Sequence, residues 1–200
     1  MLAEGKTGPQ TVNDGGQITH RMTKLGGLVV QELHGRYYEQ TYRKNVFFAA
    51  NTAVQATSVG LATTYTGLCL SNPLGSTVNL VLLSLGFALT SAPAAASTLG
   101  LITGFSNSTN VLHTTAIIPA STFIGAQAGA GKVGAASTLS ITPVYTQQYA
   151  QYPITTEGTS GPILVDLAGQ IILPPGAFAA LGTLTSITGL GHFTWEEVIV

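Results

Sequence analysis

Charge is what this sequence lacks most. No Asp, Glu, Lys or Arg occurs between Lys44 and Lys132, a run of 87 residues, and charged residues make up 8% of the 200-residue chain. Globular chains are on average about one quarter charged. Because so few charges favour association over colloidal repulsion, we expect much of this surface to contact other protein or lipid.

Long hydrophobic runs are also missing. A membrane-spanning helix needs about 20 predominantly apolar residues, and the best run, Val78 to Leu89, is interrupted by Asn79, Ser84 and Gly86. The first residues contain an acid at position 4 and no apolar segment of the kind that defines a secretory signal. We therefore expect no membrane partner.

The chain has a single cysteine, Cys69, so an internal disulfide is excluded. No basic residue lies near it in sequence to make the thiol reactive, and we expect a small, buried, apolar side chain. The absence of disulfides and of a signal suits assembly in a reducing cytoplasm.

The residues that are abundant favour β-structure: 28 threonines and 13 serines, with 24 glycines and 9 prolines. β-branched residues fit strands, whereas Gly, Pro and Ser occupy turns. The clearest strand is Leu80 to Thr90, where large apolar residues stand at the odd positions, from Val81 to Leu89. Most even positions carry small or polar residues, which is the period of a strand with one buried face.

The same pattern predicts seven further strands: Thr98–Ile102, Leu112–Ile118, Leu139–Tyr145, Ile163–Leu167, Gln170–Leu173, Phe178–Leu184 and His192–Val200. Ala168-Gly169 stands between two of these strands and predicts a tight hairpin. Short strands with loops of uneven length indicate an all-β fold, a jelly-roll-like β-sandwich over residues 51–200.

Residues 1–50 form a separate N-terminal arm and docking segment in this interpretation. The first 20 residues are Gly-rich and predict a flexible arm, and residues 1–44 hold six of the seven basic residues. One short helix is expected here, with Leu33, Tyr37 and Tyr38 on one face.

No motif in the sequence supports catalysis. Residues 129–134 read Gly-Ala-Gly-Lys-Val-Gly, but the dinucleotide-binding motif needs a helix directly after it, and a strand pattern follows instead. We interpret this segment as a flexible Gly/Ala loop. The four histidines lack metal-ligand spacing, and no third ligand accompanies His192 and Glu196. We expect no catalytic residues, metal or cofactor, and hence no enzyme.

Two groups of residues stand out as candidate contacts. One is a basic and aromatic patch, interleaved with acids and so more typical of protein docking than of nucleic-acid binding: Arg36, Tyr37, Tyr38, Tyr42, Arg43 and Lys44. The other is a tyrosine tract on an expected exposed loop, suited to sugar stacking or, as we favour, to a subunit interface. Its residues are Tyr145, Tyr149 and Tyr152, and Trp195 is assigned to the same interface.

Three segments together resemble a known family. They are Arg21 to Glu39, including Gly-Gly-Leu-Val-Val-Gln-Glu; Leu70 to Leu82, with Ser-Asn-Pro-Leu-Gly-Ser; and Ile172 to Gly176 with the C-terminal Gly191 to Val198. The pattern resembles the cement, or decoration, proteins of tailed-bacteriophage capsids. That resemblance implies a jelly-roll protein that binds the outside of an icosahedral shell and brings no catalytic residues.

The expected function is therefore that of a structural virion protein on the capsid exterior, assembled in the host cytoplasm. Its expected partners are the major capsid protein and further copies of itself, as a dimer or, slightly favoured, a trimer; no nucleic acid is expected. The alternative is a receptor-binding or glycan-binding module of a phage tail or fibre that uses the tyrosine tract.

Overall fold

The computed structural model describes residues 35–152 and 162–200. The chain divides into two compact units, residues 1–39 and residues 40–200. The predicted arm of residues 1–20 and the helical position of Leu33 lie outside the described residues. The account below concerns the second unit, which contains every strand.

One helix and twelve strands follow in chain order. The helix α1 is Tyr38–Tyr42, which agrees with the expected short helix. The strands are β1 Val46–Ala50, β2 Gln55–Ala56, β3 Thr64–Ser71, β4 Val78–Leu89, β5 Ser97–Phe105, β6 Leu112–Ile117, β7 Ala120–Ser121, β8 Lys132–Thr138, β9 Val144–Tyr152, β10 Ile163–Leu173, β11 Ala177–Thr183 and β12 Thr188–Ile199.

The strands form two antiparallel sheets, so the prediction of an all-β sandwich is confirmed. The first sheet has the order β10-β4-β12-β1-β7, with β2 also paired to β12, and the second has the order β6-β8-β3-β11-β5-β9. Pairing is nested, because β1 pairs with β12, β3 with β11, β4 with β10 and β5 with β9. Nested pairing of this kind is what a jelly-roll connection of two sheets requires.

The main core lies between the inner faces of the two sheets. Phe193 and Trp195 of the first sheet and Leu99 and Leu101 of the second are among its fully buried members. The sandwich also includes β1, which pairs along its length with β12. It therefore begins before residue 51, the boundary that the sequence suggested, since the strand-like residues 46–50 complete the first sheet.

Strand β4 shows the predicted alternation with one change of phase. Leu85 and Phe87 face the core as expected, but Leu80 and Leu82 are also core residues, whereas Val81 is only partly buried. A register shift in the pairing of β4 with β12, where Trp195 and Thr194 follow each other against Leu82 and Ser84, inverts the pattern. The bulge was not visible in the apolar pattern.

Two of the predicted strand boundaries are wrong. Ala168 and Gly169 do adopt left-handed backbone angles, φ 51° and 80°, but they form a bulge within β10 and not a hairpin. Both flanks of the bulge pair with β4, up to Asp166 on one side and from Ile171 on the other. The predicted strand Leu139–Tyr145 is a turn that separates β8 from β9.

A second, smaller cluster covers the outer face of the second sheet. It contains Tyr65, Cys69, Ile102, Leu139, Phe178 and Ala180. Cys69 is fully buried, as predicted, and burial raises the pKa of its thiol far above the ordinary value. Gly104 lies opposite Phe178, and a Cβ at this glycine would come within 2.5 Å of the ring. The glycine thus makes room for an aromatic ring that lies flat on the sheet.

Candidate interaction surface

The predicted docking residues fall into both units of the chain. Arg36, Tyr37 and Tyr38 belong to residues 1–39, whereas Tyr42, Arg43 and Lys44 belong to residues 40–200. All six are exposed except Tyr37, which is partly buried. Of the six, the structure brings Tyr42 and Lys44 together around one aromatic ring.

Lys44 takes the place of a helix-capping glycine. After α1 ends, Lys44 adopts a left-handed φ of 64°. Its N–H donates to Thr41 O at 2.9 Å, and Asn45 N–H donates to Gln40 O at 3.0 Å. Glycine is the usual residue at such a position, because a side chain there costs about 1 kcal/mol.

The Lys44 side chain lies against an exposed aromatic ring. Its ammonium Nζ is 5.5 Å from the centroid of the Phe123 ring, within the range of a cation–π contact. The ring of Tyr42 meets Phe123 edge-on at 6.5 Å. Ile124, the next residue, is 82% exposed. Together, Tyr42, Lys44, Phe123 and Ile124 form a basic and apolar projection, which we call the Lys44 knob.

A carboxylate fixes the glycine-rich segment that follows the knob. Glu197 of β12 accepts hydrogen bonds from Ala130 N–H at 2.9 Å, from Gly131 N–H at 3.0 Å and from the Trp195 indole N–H at 3.2 Å. A Cβ at Gly129 would come within 2.3 Å of the same carboxylate. The two glycines therefore admit an internal acid, not a phosphate, and strand β8 begins directly afterwards.

A cavity of about 470 Å³ lies between the knob and this segment. It is lined by Lys44, Phe47, Gly125, Ala126, Gln127 and Ala128. Phe47 is buried beneath it, and Ala128 is exposed at its edge. The cavity thus combines one lysine with small and apolar side chains.

The tyrosine tract does not form an exposed loop. Its residues belong to β9, an edge strand of the second sheet. Tyr152 is buried in the core between the sheets, and Tyr149 packs against that core, whereas Tyr145 packs on the outer cluster. Burial raises the pKa of both Tyr149 and Tyr152 to about 12. The three rings therefore do not share a surface on which a sugar could stack.

The assignment of Trp195 to a subunit interface is wrong. Its side chain is completely buried, and its ring packs beside Phe47 at a centroid distance of 6.3 Å. Tyr152, 3% exposed, is likewise unavailable for direct contact with a partner. Both residues stabilise the sandwich itself.

An uncharged groove opens beside the edge strands β9 and β10. Its volume is about 440 Å³, and no charged residue lines it. The apolar walls include Phe105, Ile141, Val144 and Ile172, which are 54%, 40%, 60% and 54% exposed. We call this surface the β9–β10 groove.

The most ordered polar constellation in the second sheet surrounds His113. Its Nε2 lies 2.8 Å from Ser71 Oγ, and its Nδ1 lies 2.8 Å from Ser137 Oγ. Burial lowers the pKa of His113 to about 4, so the ring is neutral at pH 7. Because Ser71 and Ser137 are 4% and 3% exposed, neither hydroxyl is accessible to a substrate as a nucleophile.

His192 and Glu196 both project from the outer face of β12, as expected. Burial lowers the pKa of His192 and raises that of Glu196. The described residues contain no group of three His, Cys, Asp or Glu side chains that could hold a metal ion.

No protein-family model, curated protein or solved structure matches this chain. Among the described residues, no helix is both long enough and apolar enough to cross a membrane.

Proposed function

We propose that this chain is a structural virion protein that binds the outside of an icosahedral phage capsid and cements neighbouring capsomers. The observation that carries the proposal is an uncharged, strand-rich exterior with large apolar side chains exposed on it. Ile118, Ile124 and Ile199 are 86%, 82% and 83% exposed. Contact with neighbouring protein subunits would remove this apolar surface from water.

Self-association is the first part of the proposed mechanism. Edge strands offer unpaired backbone groups, and soluble proteins usually protect them with charged residues. Strand β9 contains no charged residue, and neither does the lining of the β9–β10 groove. A second copy of the chain suits this surface, because two identical uncharged edges meet without like-charge repulsion.

Docking on the shell is the second part of the mechanism. The segment that ends at Lys44 carries most of the basic residues of the chain, and the Lys44 knob presents Tyr42 and Lys44 at the surface. A protein that binds the assembled shell and not its separate subunits stabilises the assembled state by mass action. Shell reinforcement therefore needs no catalytic site.

Deletion of residues 1–44 tests the proposal. Asn45 remains to accept the Glu197 N–H, and every strand lies after the cut, so we expect a folded β-protein. The full chain should co-sediment with assembled capsids of the phage that encodes it, and the truncated chain should not. Circular dichroism and urea unfolding of both proteins provide the folding control.

Undiminished binding by the truncated chain, at the same copy number per shell, would argue against docking through this segment. Failure of the full chain to bind any assembled shell would overturn the proposed function. The alternative of a glycan-binding module gains no support from β9, because Tyr149 and Tyr152 face the core.

A further inference from the structure

We propose that the cavity beside Lys44 is an anion-receiving pocket that takes a carboxylate side chain of the shell protein. In this assignment, which rests on the proposed function, the Lys44 ammonium pairs with the carboxylate. Phe123 and Ile124 form an apolar rim around the entering side chain. The pocket thus specifies the partner as a protein surface that presents an Asp or Glu among apolar residues.

The backbone of Lys44 gives the first argument. Lys44 and Ala168 are the two non-glycine residues with positive φ in the described part of the chain. Glycine would fill the capping position of Lys44 without strain. A lysine that is retained in a strained conformation points to a role for its side chain.

The second argument is the position of that side chain. The Lys44 ammonium is held near the Phe123 ring, and Lys44 also lines the cavity of about 470 Å³. The cation is therefore placed at the cavity instead of extending freely into solvent. A positioned cation loses less conformational entropy when it pairs with an incoming anion.

The third argument is the charge around the cavity. Arg43 adds a second exposed positive charge next to Lys44. The nearest acid is Glu197, whose carboxylate is already engaged by the N–H groups of Ala130, Gly131 and Trp195. Within residues 40–152 and 162–200, no acidic side chain lines the cavity as a competing partner for Lys44.

The rim favours a protein over a nucleic acid as the source of the anion. Nucleic-acid binding depends on several Lys and Arg side chains that neutralise successive phosphates, whereas this pocket has one lysine with a neighbouring arginine. Phe123 and Ile124 are 39% and 82% exposed and offer apolar contact area instead. Protein interfaces combine apolar anchors with a few charged pairs in this way.

The test exploits the strained backbone. Lys44→Gly removes the ammonium and relieves the positive φ, so its urea midpoint should equal or exceed that of the parent chain. Its affinity for assembled capsids should nevertheless fall at least tenfold in a co-sedimentation titration. Lys44→Arg keeps the charge and should bind within about threefold of the parent.

A second variant tests the cavity without changing charge. Ala128 is exposed at the cavity, and Ala128→Phe should fill the space and weaken capsid binding by at least tenfold. Lys132→Ser is the matched charge control, because Lys132 is exposed on β8 and does not line the cavity. It should bind like the parent.

Two results would overturn the pocket assignment while leaving the proposed function intact. One is parental capsid affinity in a folded Lys44→Gly chain, and the other is an equal loss of affinity in Lys132→Ser, which would indicate a diffuse charge effect. Binding that is competed by DNA as strongly as by an acidic peptide would contradict the protein carboxylate. A parent chain that binds no shell would overturn the proposed function itself.

Discussion

The chain has two cavities of almost equal volume and very different chemistry. The cavity beside Lys44 holds a positioned lysine over small and apolar side chains, whereas the β9–β10 groove is lined without any charged residue. One is bordered by a loop that Glu197 fixes through hydrogen bonds, and the other lies beside two edge strands.

This difference separates two kinds of contact within one small protein. A charged pocket selects an oppositely charged partner and responds to salt. An uncharged groove on a sheet edge has no such selectivity, but it tolerates a second copy of itself. We therefore assign shell docking to the Lys44 pocket and self-association to the β9–β10 groove.

The largest expected effect comes from removing the acid that fixes the loop beside Lys44. Glu197→Ala leaves the N–H groups of Ala130, Gly131 and Trp195 without their acceptor. Unpaired, partly buried donors cost about 1 kcal/mol each, so the free energy of unfolding should fall by about 3 kcal/mol in urea titrations.

Glu196→Ala is the matched control for this substitution. Glu196 precedes Glu197 on β12, but desolvation raises the pKa of its carboxyl. Its removal should leave stability almost unchanged. Equal losses in the two variants would show that the hydrogen bonds of Glu197 do not hold the loop.

Acid should destabilise the fold through a residue that lines neither cavity. Because burial lowers the pKa of His113 from 6.5 to about 4, the folded state resists protonation. Stability is then fully present above pH 6.5 and declines as the pH falls towards 4. With solvent screening taken into account, the expected loss is about 2 kcal/mol.

Urea unfolding of the parent chain and of His113→Asn at several pH values measures this effect. The variant should lose most of the decline between pH 6.5 and 4, since its amide does not titrate. Residual dependence from His192, whose pKa burial also lowers, should remain in both proteins. Identical pH profiles would contradict the role of His113.

A smaller effect is expected when charge is introduced into the β9–β10 groove. Val144→Lys should raise the dissociation constant of self-association about tenfold, or about 1.4 kcal/mol, because the lysines of two copies repel each other at an uncharged contact. Sedimentation equilibrium measures the change. Ile118→Lys, at an 86% exposed residue that does not line the groove, should have little effect.

The sandwich could be predicted from the sequence because its strands follow a simple period. In β4, Leu85 and Phe87 alternate with small residues, and burial on one side enforces that pattern. The bulges could not be predicted in the same way. Ala168-Gly169 has the local conformation of a hairpin turn, but long-range pairing of both flanks with β4 decides that the chain continues in one direction.

The candidate surface was predictable in part for a similar reason. Lys44 and Tyr42 were recognisable from their types, whereas Phe123 and Ile124 stand in a loop far away in sequence and reach the knob only through the fold. The tyrosines of β9 were misassigned, because spacing alone does not show which of them face the core. A pair of register shifts in the pairing of β9 with β5 complicates their alternation.

The oligomeric state in solution tests the central claim most directly. The chain has a mass of 20.5 kDa, and light scattering coupled to size exclusion should give a multiple of that mass. A dimer or trimer is what covering of the uncharged edges by further copies predicts. A stable monomer that stays dispersed with its apolar groove open to water would contradict the account.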